Sequence, residues 1–368
     1  MARSLRVGPD YIKTVKSALL RNGYPSQQSL AGTVGISLST VKNFLSGKPV
    51  DYLNFVEISG KLGLNWQELA SKELETQPSK LQPTNGEASP FITGSPITQP
   101  RHFFGREKEL KRLFNLLKRH PLQNAAIIGK KRSGKTSLLH YLKNITTTPA
   151  AHLRPSQKLD WLLNPENYQW IFIDMQDVRM QNQEGLLKYI LESLKMPVPN
   201  PCDLDSFMDV VSGNLHQPTV ILLDEIGVGL QRCPELDDGF WESLRSLATN
   251  HTGGNLAFIL ATPESPIELA QNTGHSSPFF NIFGYTAYLG ALTESEAREL
   301  IASSPIPFDD KDVKWILNQS QCLPILLQIL CRERLFTLEE GEDDENWREE
   351  ALIQIKPFVG LLDNHREG

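Results

Sequence analysis

With 368 residues, 40% of them hydrophobic and 22% charged, the chain has the apolar content of a globular protein and the length for two or three domains. No apolar run is long enough to span a bilayer, and the opening Met1-Ala2-Arg3-Ser4-Leu5-Arg6 lacks a signal-peptide core, so the expectation is a cytoplasmic protein with no membrane partner. The formal net charge of −6 gives no general affinity for nucleic acid, and Cys202, Cys233, Cys322 and Cys331 form no C-x-x-C pair and no metal spacing with His, which argues against a disulfide framework and a zinc site.

Charge is unevenly spread, however. Up to residue 72, nine lysines and arginines stand against four acids, a basic segment in an acidic chain. Residues 1–74 read as a small all-α domain. A helix is expected over 10–21, with Ile12, Val15, Ala18 and Leu19 on one face and Gly23 as its stop. A second is expected over 27–34, capped by Ser26 and stopped by Gly35, and a third from the N-cap Ser37 through Leu45 to Gly47. Asp51 and Asn65 are candidate N-caps of two more. The middle pair, with Leu30-Ala31, Gly35-Ile36-Ser37, Thr40-Val41 and Phe44-Leu45-x-Gly47, resembles the helix-turn-helix of phage-repressor-like DNA-binding domains. In that resemblance Ala31 lets two helices cross closely and Val41 and Leu45 face inward. Leu38, Ser39, Lys42 and Asn43 then face the major groove of double-stranded DNA, and Gln27 and Gln28 suit phosphate contacts. The alternative is a helical bundle that uses the same face for protein contacts. The reading helix is not very basic, so one copy would bind modestly and a second copy is expected from oligomerisation.

From residue 75 to 101 the composition turns to Pro, Ser, Thr, Gln and Gly, the make-up of a flexible tether. Phe103-Phe104-Gly105-Arg106-Glu107 then opens a helix through Leu110, Leu113, Leu116 and Leu117. Ala125-Ala126-Ile127-Ile128 reads as a short strand. It runs into Gly129-Lys130-Lys131-Arg132-Ser133-Gly134-Lys135-Thr136, a G-x-x-x-x-G-K-[ST] loop, and then into an apolar-periodic helix from Ser137. Gly129 and Gly134 permit backbone angles that turn N–H groups inward as an anion nest, with Arg132, Ser133 and Ser137 in the same loop and helix start. Lys135 reaches β and γ phosphates, and the Thr136 hydroxyl suits Mg²⁺. The run 219–223 is apolar and β-branched, as in a strand buried on both faces, and ends in Asp224-Glu225. An Asp there holds Mg²⁺, and the Glu orients and deprotonates the attacking water. Further strands at 170–173, ending in Asp174, and at 256–261, ending in Thr262, alternate with helices, one over 238–248. This gives an α/β P-loop NTPase with a parallel sheet covered on both faces.

The aromatic-Gly-Arg-Glu box at Phe104 to Glu107 and the order of elements after it resemble the STAND-type and archaeal-type ATPases of the AAA+ superfamily, and most of all cyanobacterial-type AAA-like proteins. The resemblance implies an ATPase core over 102–291 and a helical or winged-helix-like lid over 292–368. It places Phe104 and Arg106 against adenine and ribose, and makes Thr262 the first sensor, although Thr262 is equally a turn residue before Pro263. Thr293 and Glu296 form a capping box at the lid's first helix. Gln321-Cys322-Leu323-Pro324 resembles the family's Gly-x-Pro motif, which puts Pro324 near the base; Cys322 departs from it where the family has Gly. A second departure is Ser277-Pro278-Phe279-Phe280-Asn281, which lacks the Arg that many relatives carry there; Arg232 and Arg245 are stand-ins. The acids at 339–345 read as a solvated loop, and Pro357 should kink or end a last helix over 347–362.

Together these point to an ATPase using ATP and Mg²⁺, with Lys135 on the phosphates, Thr136 and Asp224 on the metal and Glu225 on water. The expected role is a slowly hydrolysing or partner-stimulated switch in regulation or defence signalling, with a DNA-binding head, nucleotide-dependent self-association and a separate protein trigger. The alternatives are a regulator that assembles on DNA, as transposition regulators do, and an adaptor that binds only proteins.

Overall fold

The computed structural model describes residues 4–8, 11–34, 36–64, 66–69, 89–341 and 346–363, and these belong to two units, one within residues 1–86 and one within 87–368. In the first unit the order is β1 (Ser4–Leu5), α1 (Ile12–Arg21), α2 (Gln27–Val34), α3 (Leu38–Leu45), β2 (Val50–Asp51), α4 (Tyr52–Lys61) and α5 (Trp66–Leu69). Their apolar faces close around Val15, Leu30, Val41, Phe44, Phe55 and Ile58, all fully buried, with the Phe44 and Phe55 rings 5.0 Å apart. The Ser37 hydroxyl accepts the Thr40 N–H at 3.1 Å and so caps α3. Gly23 leaves α1 at φ 79°, a left-handed angle that favours glycine. The all-α expectation needs one correction: Ser4 and Leu5 pair antiparallel with Asp51 and Val50, which puts Asp51 in a strand. Two residues per strand are too few for a period-two pattern to be seen in the sequence. Gly35 and Asn65, read as a helix stop and a cap, lie outside the described residues.

The second unit runs through α6 (Glu107–Leu117), β3 (Ala125–Ile128), α7 (Lys135–Ile145), β4 (Gln169–Asp174), α8 (Gln183–Ser193), α9 (Leu204–Asn214), β5 (Thr219–Asp224), α10 (Ile226–Arg232), α11 (Asp238–Ser246), β6 (Leu256–Thr262), α12 (Pro266–Asn272) and β7 (Tyr285–Tyr288). A helical subdomain follows, α13 (Glu294–Ile301), α14 (Asp310–Ser320), α15 (Pro324–Glu339), α16 (Asn346–Ile355) and α17 (Gly360–Asp363). Among the described residues it contains no strand, so it is helical rather than winged.

All pairings in the five-stranded sheet are parallel, in the order β4-β5-β6-β3-β7. β3, β5 and β6 are buried along their whole length, which is why they read as unbroken apolar runs; the edge strands β4 and β7 are only partly buried. Alternate side chains feed two cores. Ile221, Leu223, Phe258 and Leu260 meet α8 to α12, and Val220, Leu222, Ala257 and Ile259 meet α6 and α7. The helical subdomain has its own core around Leu326, Leu330 and Leu335. There Asp312 of α14 pairs with Arg334 of α15 at 2.6 Å and with Arg348 of α16 at 2.8 Å. Pro357 follows the end of α16 in a 3₁₀ turn, as its missing N–H requires.

Residues 89–101, read as part of the tether, are instead packed onto this unit. Phe91 is buried in the helical core, its ring 6.2 Å from Phe308. The Ile92 N–H donates to Gln328 of α15 at 2.9 Å, and Arg332 donates to the Thr93 hydroxyl. Further along, the Ile97 N–H donates to Ser137 of α7 at 3.0 Å and Asn144 donates to the Thr98 carbonyl at 2.7 Å. The strap is thus fastened to the helical subdomain at one end and to α7 at the other.

Candidate active site

Because every strand is parallel, their carboxyl ends share one edge, where α/β sheets bind ligands. β3 delivers Gly129 there, β5 delivers Asp224 and Glu225, and β6 delivers Thr262. The loop after β3 is held tightly. The Gly129 N–H donates to the Thr262 carbonyl at 3.2 Å, and a Cβ on Gly129 would come within 2.9 Å of the Leu289 carbonyl and closer still to the Ser133 hydroxyl. Gly134 precedes α7 at φ 97°, and Arg132 sits at φ 69°. The first N–H groups of α7 have no carbonyl one turn back, so the helix start presents donors and a positive dipole end to whatever lies above it.

Lys135 is buried and folds over its own loop, donating to the carbonyls of Gly129 at 2.7 Å and Lys130 at 3.2 Å. Burial lowers its pKa from the ordinary lysine value, against the pull of Glu225 and Asp224. The Thr136 hydroxyl donates to Asp224 Oδ2 at 2.8 Å. The other Asp224 oxygen, Oδ1, is buried without a hydrogen-bond partner, as is the Ser133 hydroxyl. Burial pushes the Asp224 carboxyl up to about 6, with the Thr136 hydrogen bond working the other way. An orphaned buried carboxylate oxygen beside a hydroxyl fits a hard cation. Among the described residues no three His, Cys, Asp or Glu side chains cluster as metal ligands, and a cation held here would draw its remaining oxygens from phosphate and water. Glu225 follows at φ 51°, a left-handed angle that is strained for a residue with a Cβ.

A cleft of about 340 Å³ opens over this loop. Of the residues singled out in the sequence, Phe104, Arg106, Arg132, Ser133, Gly134, Lys135, Thr136, Ser137, Glu225 and Pro324 line it. Asp224 and Thr262 are not among the lining residues: Asp224 accepts from Thr136, and the Thr262 hydroxyl donates to the Glu264 carbonyl. Arg106 lines the wall, yet its guanidinium is engaged with the Gly290 and Ala291 carbonyls at the start of the helical subdomain, and its N–H donates to Glu296 at 2.6 Å. Glu296 closes the capping box with Thr293, so one carboxylate joins the Gly105-Arg106 turn to α13. Phe104 lies under the Arg154 guanidinium at 3.8 Å, and Arg154 also pairs with Glu299 of α13 at 3.5 Å. Phe279 and Phe280, where an Arg was missed, pack on Trp241 inside the core. Arg232 and Arg245 are exposed on α10 and α11.

Other walls of the cleft were not foreseen. Ile92, Thr93, Pro96 and Ile97 of the strap form one side, and Leu300, Ile325 and Gln328 of the helical subdomain another. Two signals in the sequence pointed to them: the apolar Phe91-Ile92 pair inside a polar tether, and Gln328 inside the apolar run 325–330. In the first unit, Gln27, Gln28, Ser39 and Lys42 are exposed, and Leu38 and Asn43 are half-buried.

No protein-family model matches the chain and no curated protein matches it. Solved structures do. A Walker-type ATPase of Pyrococcus abyssi aligns over 75% of this chain and 79% of its own, at 16% identity and a TM-score of 0.50. The ORC2 protein of Aeropyrum pernix, solved as ADPNP–ADP complexes, aligns over 72% of this chain and 70% of its own, at 14% identity and a TM-score of 0.53. Identity this low carries the fold alone: the second unit has an α/β P-loop NTPase fold, shared with these two proteins. No helix among the described residues is long and apolar enough to cross a membrane.

Proposed function

We propose that the chain is an ATP-dependent molecular switch with a DNA-binding head. One observation carries the nucleotide half: Thr136 and Asp224 share a hydrogen bond at the foot of an anion-binding loop, and the second Asp224 oxygen is buried and unpaired. Thr136 and Asp224 would hold Mg²⁺, which when bound neutralises phosphate charge. Lys135 exchanges the Gly129 and Lys130 carbonyls for β and γ phosphate oxygens. Glu225, on the cleft wall, orients the attacking water and takes its proton. Phe104 and Pro324 flank the base end, and Arg106 links the nucleotide loop to the helical subdomain as a lid. Serving as a sensor would require the Thr262 hydroxyl to release the Glu264 carbonyl. With phenylalanines packed where relatives carry an arginine, hydrolysis stays slow until a partner, another copy or a trigger protein, supplies a cation.

The head reading rests on α2 and α3. Their small and apolar faces (Ala31, Val34, Val41, Leu45) are buried, and Ser39 and Lys42 are left outside with Gln27 and Gln28. A helix-turn-helix of this kind would place α3 in the major groove of duplex DNA, two heads paired through nucleotide-dependent self-association. One observation favours the rival, a head that binds protein. Ser39 turns its hydroxyl back to Ser37 at 2.7 Å, which leaves Lys42 as the charged group at the centre of the face. Lys135→Ala tests the nucleotide half: ATP affinity by calorimetry should drop at least about a hundredfold, the loss of roughly 3 kcal/mol of charged hydrogen bonding. Unchanged affinity would sink the assignment.

A further inference from the structure

One polar side chain among the residues lining the cleft is buried and only half used. Gln328 lies on the second turn of α15 and is 4% exposed. A polar residue in such an apolar run is unfavourable unless it is bonded. Its Oε1 accepts the Ile92 N–H of the strap at 2.9 Å. A backbone N–H can only donate, so the amide orientation is set: the oxygen faces the strap and Nε2, a donor, is the other end. Among the described residues Nε2 has no partner, and Gln328 lines the cleft. Its neighbour Thr93 already accepts from Arg332. The one acid among the lining residues is Glu225, which follows the Asp224 paired to Thr136, at the phosphate end. Apart from Glu225 the lining therefore offers no carboxylate, and Gln328 offers a free donor.

That inventory separates the two purines. The Watson–Crick edge of adenine has an acceptor at N1. Guanine has the O6 acceptor, but at N1 it carries an N1–H flanked by the N2 amino group, two donors that a carboxylate would satisfy and that an amide N–H held opposite N1 would meet donor to donor. We propose that Gln328 is the base-reading residue, its Nε2 donating to adenine N1, so that the cleft takes adenine nucleotides and rejects guanine ones. This rests on the nucleotide reading above. The same side chain then holds the strap by its oxygen and the base by its nitrogen.

The test compares ADP and GDP binding, with Mg²⁺, to the full chain at pH 8. The parent should favour ADP by at least about tenfold, one mismatched buried hydrogen bond. In Gln328→Glu one carboxylate oxygen still accepts the Ile92 N–H, so the strap contact survives, while the other now accepts from guanine. ADP affinity should fall by about tenfold or more and GDP affinity should rise. Gln328→Met, of similar volume, should lose the preference without gaining GDP. A parent that favours GDP, or a Glu variant that keeps the parent's ratio, overturns the assignment. Lys135→Ala separates the two failures. If the parent binds neither nucleotide, or binding ignores Lys135→Ala, the nucleotide reading falls and this inference with it. If binding depends on Lys135 but the ratio does not move with Gln328, this inference alone falls.

Discussion

Asp224 shows how a single residue can set function against stability. Burial pushes its carboxyl up to about 6 in the folded chain, against 3.8 in an unfolded one. An acid whose folded pKa lies above its unfolded pKa favours the folded state at low pH. That advantage is complete below about 4 and is lost by about 6, and above this the buried carboxylate costs the folded state up to about 3 kcal/mol. A bound cation would remove the cost, which is the usual logic of a strained site. Asp224→Asn keeps an acceptor for Thr136 and removes the charge. The ligand-free variant should therefore unfold at higher temperature than the parent at pH 7.5, with the gap closing as pH falls from about 6 to about 4. It should also bind nucleotide without the parent's gain from Mg²⁺. Melting curves that run parallel across that pH range would show that burial of the charge is not what limits stability here. Glu225 and Cys322 tell a similar story in the backbone. Both hold left-handed angles, φ 51° and φ 58°, with side chains present, and one lies on the cleft wall and the other in the turn between α14 and α15. Such angles persist only where the surroundings over-determine them.

At the scale of elements, the strap makes the sharpest claim. Residues 89–101 have no regular structure before a short 3₁₀ turn, yet they reach from α15 to α7 across the cleft. If the strap is a wall of the site, loosening it should weaken binding without unfolding the unit. Phe91→Ala removes its buried anchor, a substitution worth about 3 kcal/mol or more in a core. Amide exchange at residues 92–98 should then rise by at least about tenfold and nucleotide affinity should fall, while the melting temperature of the sheet moves little. Exchange rates equal to the parent's would mean the strap is held by its other bonds and Phe91 is not its anchor. The strap also marks the limit of what could be read in advance. The β3, β5 and β6 strands were legible because burial on both faces leaves an unbroken apolar run, and the loop after β3 because only glycine tolerates the approach of Leu289. The Thr293–Glu296 box was legible because both partners lie three residues apart. The bond between Ile92 and Gln328 joins residues 236 apart, and nothing local encodes it. Composition alone said tether, because Pro, Ser and Thr are equally at home in a strap whose backbone is bonded to side chains elsewhere. The helices α8, α9 and α12 and the β1–β2 pair went unread for a related reason: their partners, not their own pattern, decide them.

For the whole molecule the open matter is whether the two units work on each other. Their chemistry differs: residues 1–72 carry an excess of basic residues, while the chain as a whole is net negative. A head that binds duplex DNA mainly through phosphates should lose affinity steeply with salt, with a slope of roughly −4.5 in log K against log salt for about five contacts. The cleft, whose Lys135 is buried, should be less sensitive to salt. Removing residues 1–74 should therefore abolish DNA binding and leave nucleotide affinity within about twofold, since the described residues that line the cleft all belong to the second unit. The informative quantity is the steady-state ATP hydrolysis rate of the full chain with and without duplex DNA, with Glu225→Gln as the blank. DNA that concentrates copies side by side can bring one copy's cation to the next copy's phosphates, so a rise in rate that also depends on residues 1–74 would join head and site in one switch. If the truncated chain still binds duplex, the sheet unit itself grips DNA and the regulator that assembles on DNA is the better account. A slow rate that DNA leaves unmoved, in a chain that binds nucleotide through Lys135, would mean that the cation comes from another protein, and the head would then be read as the surface that recruits it.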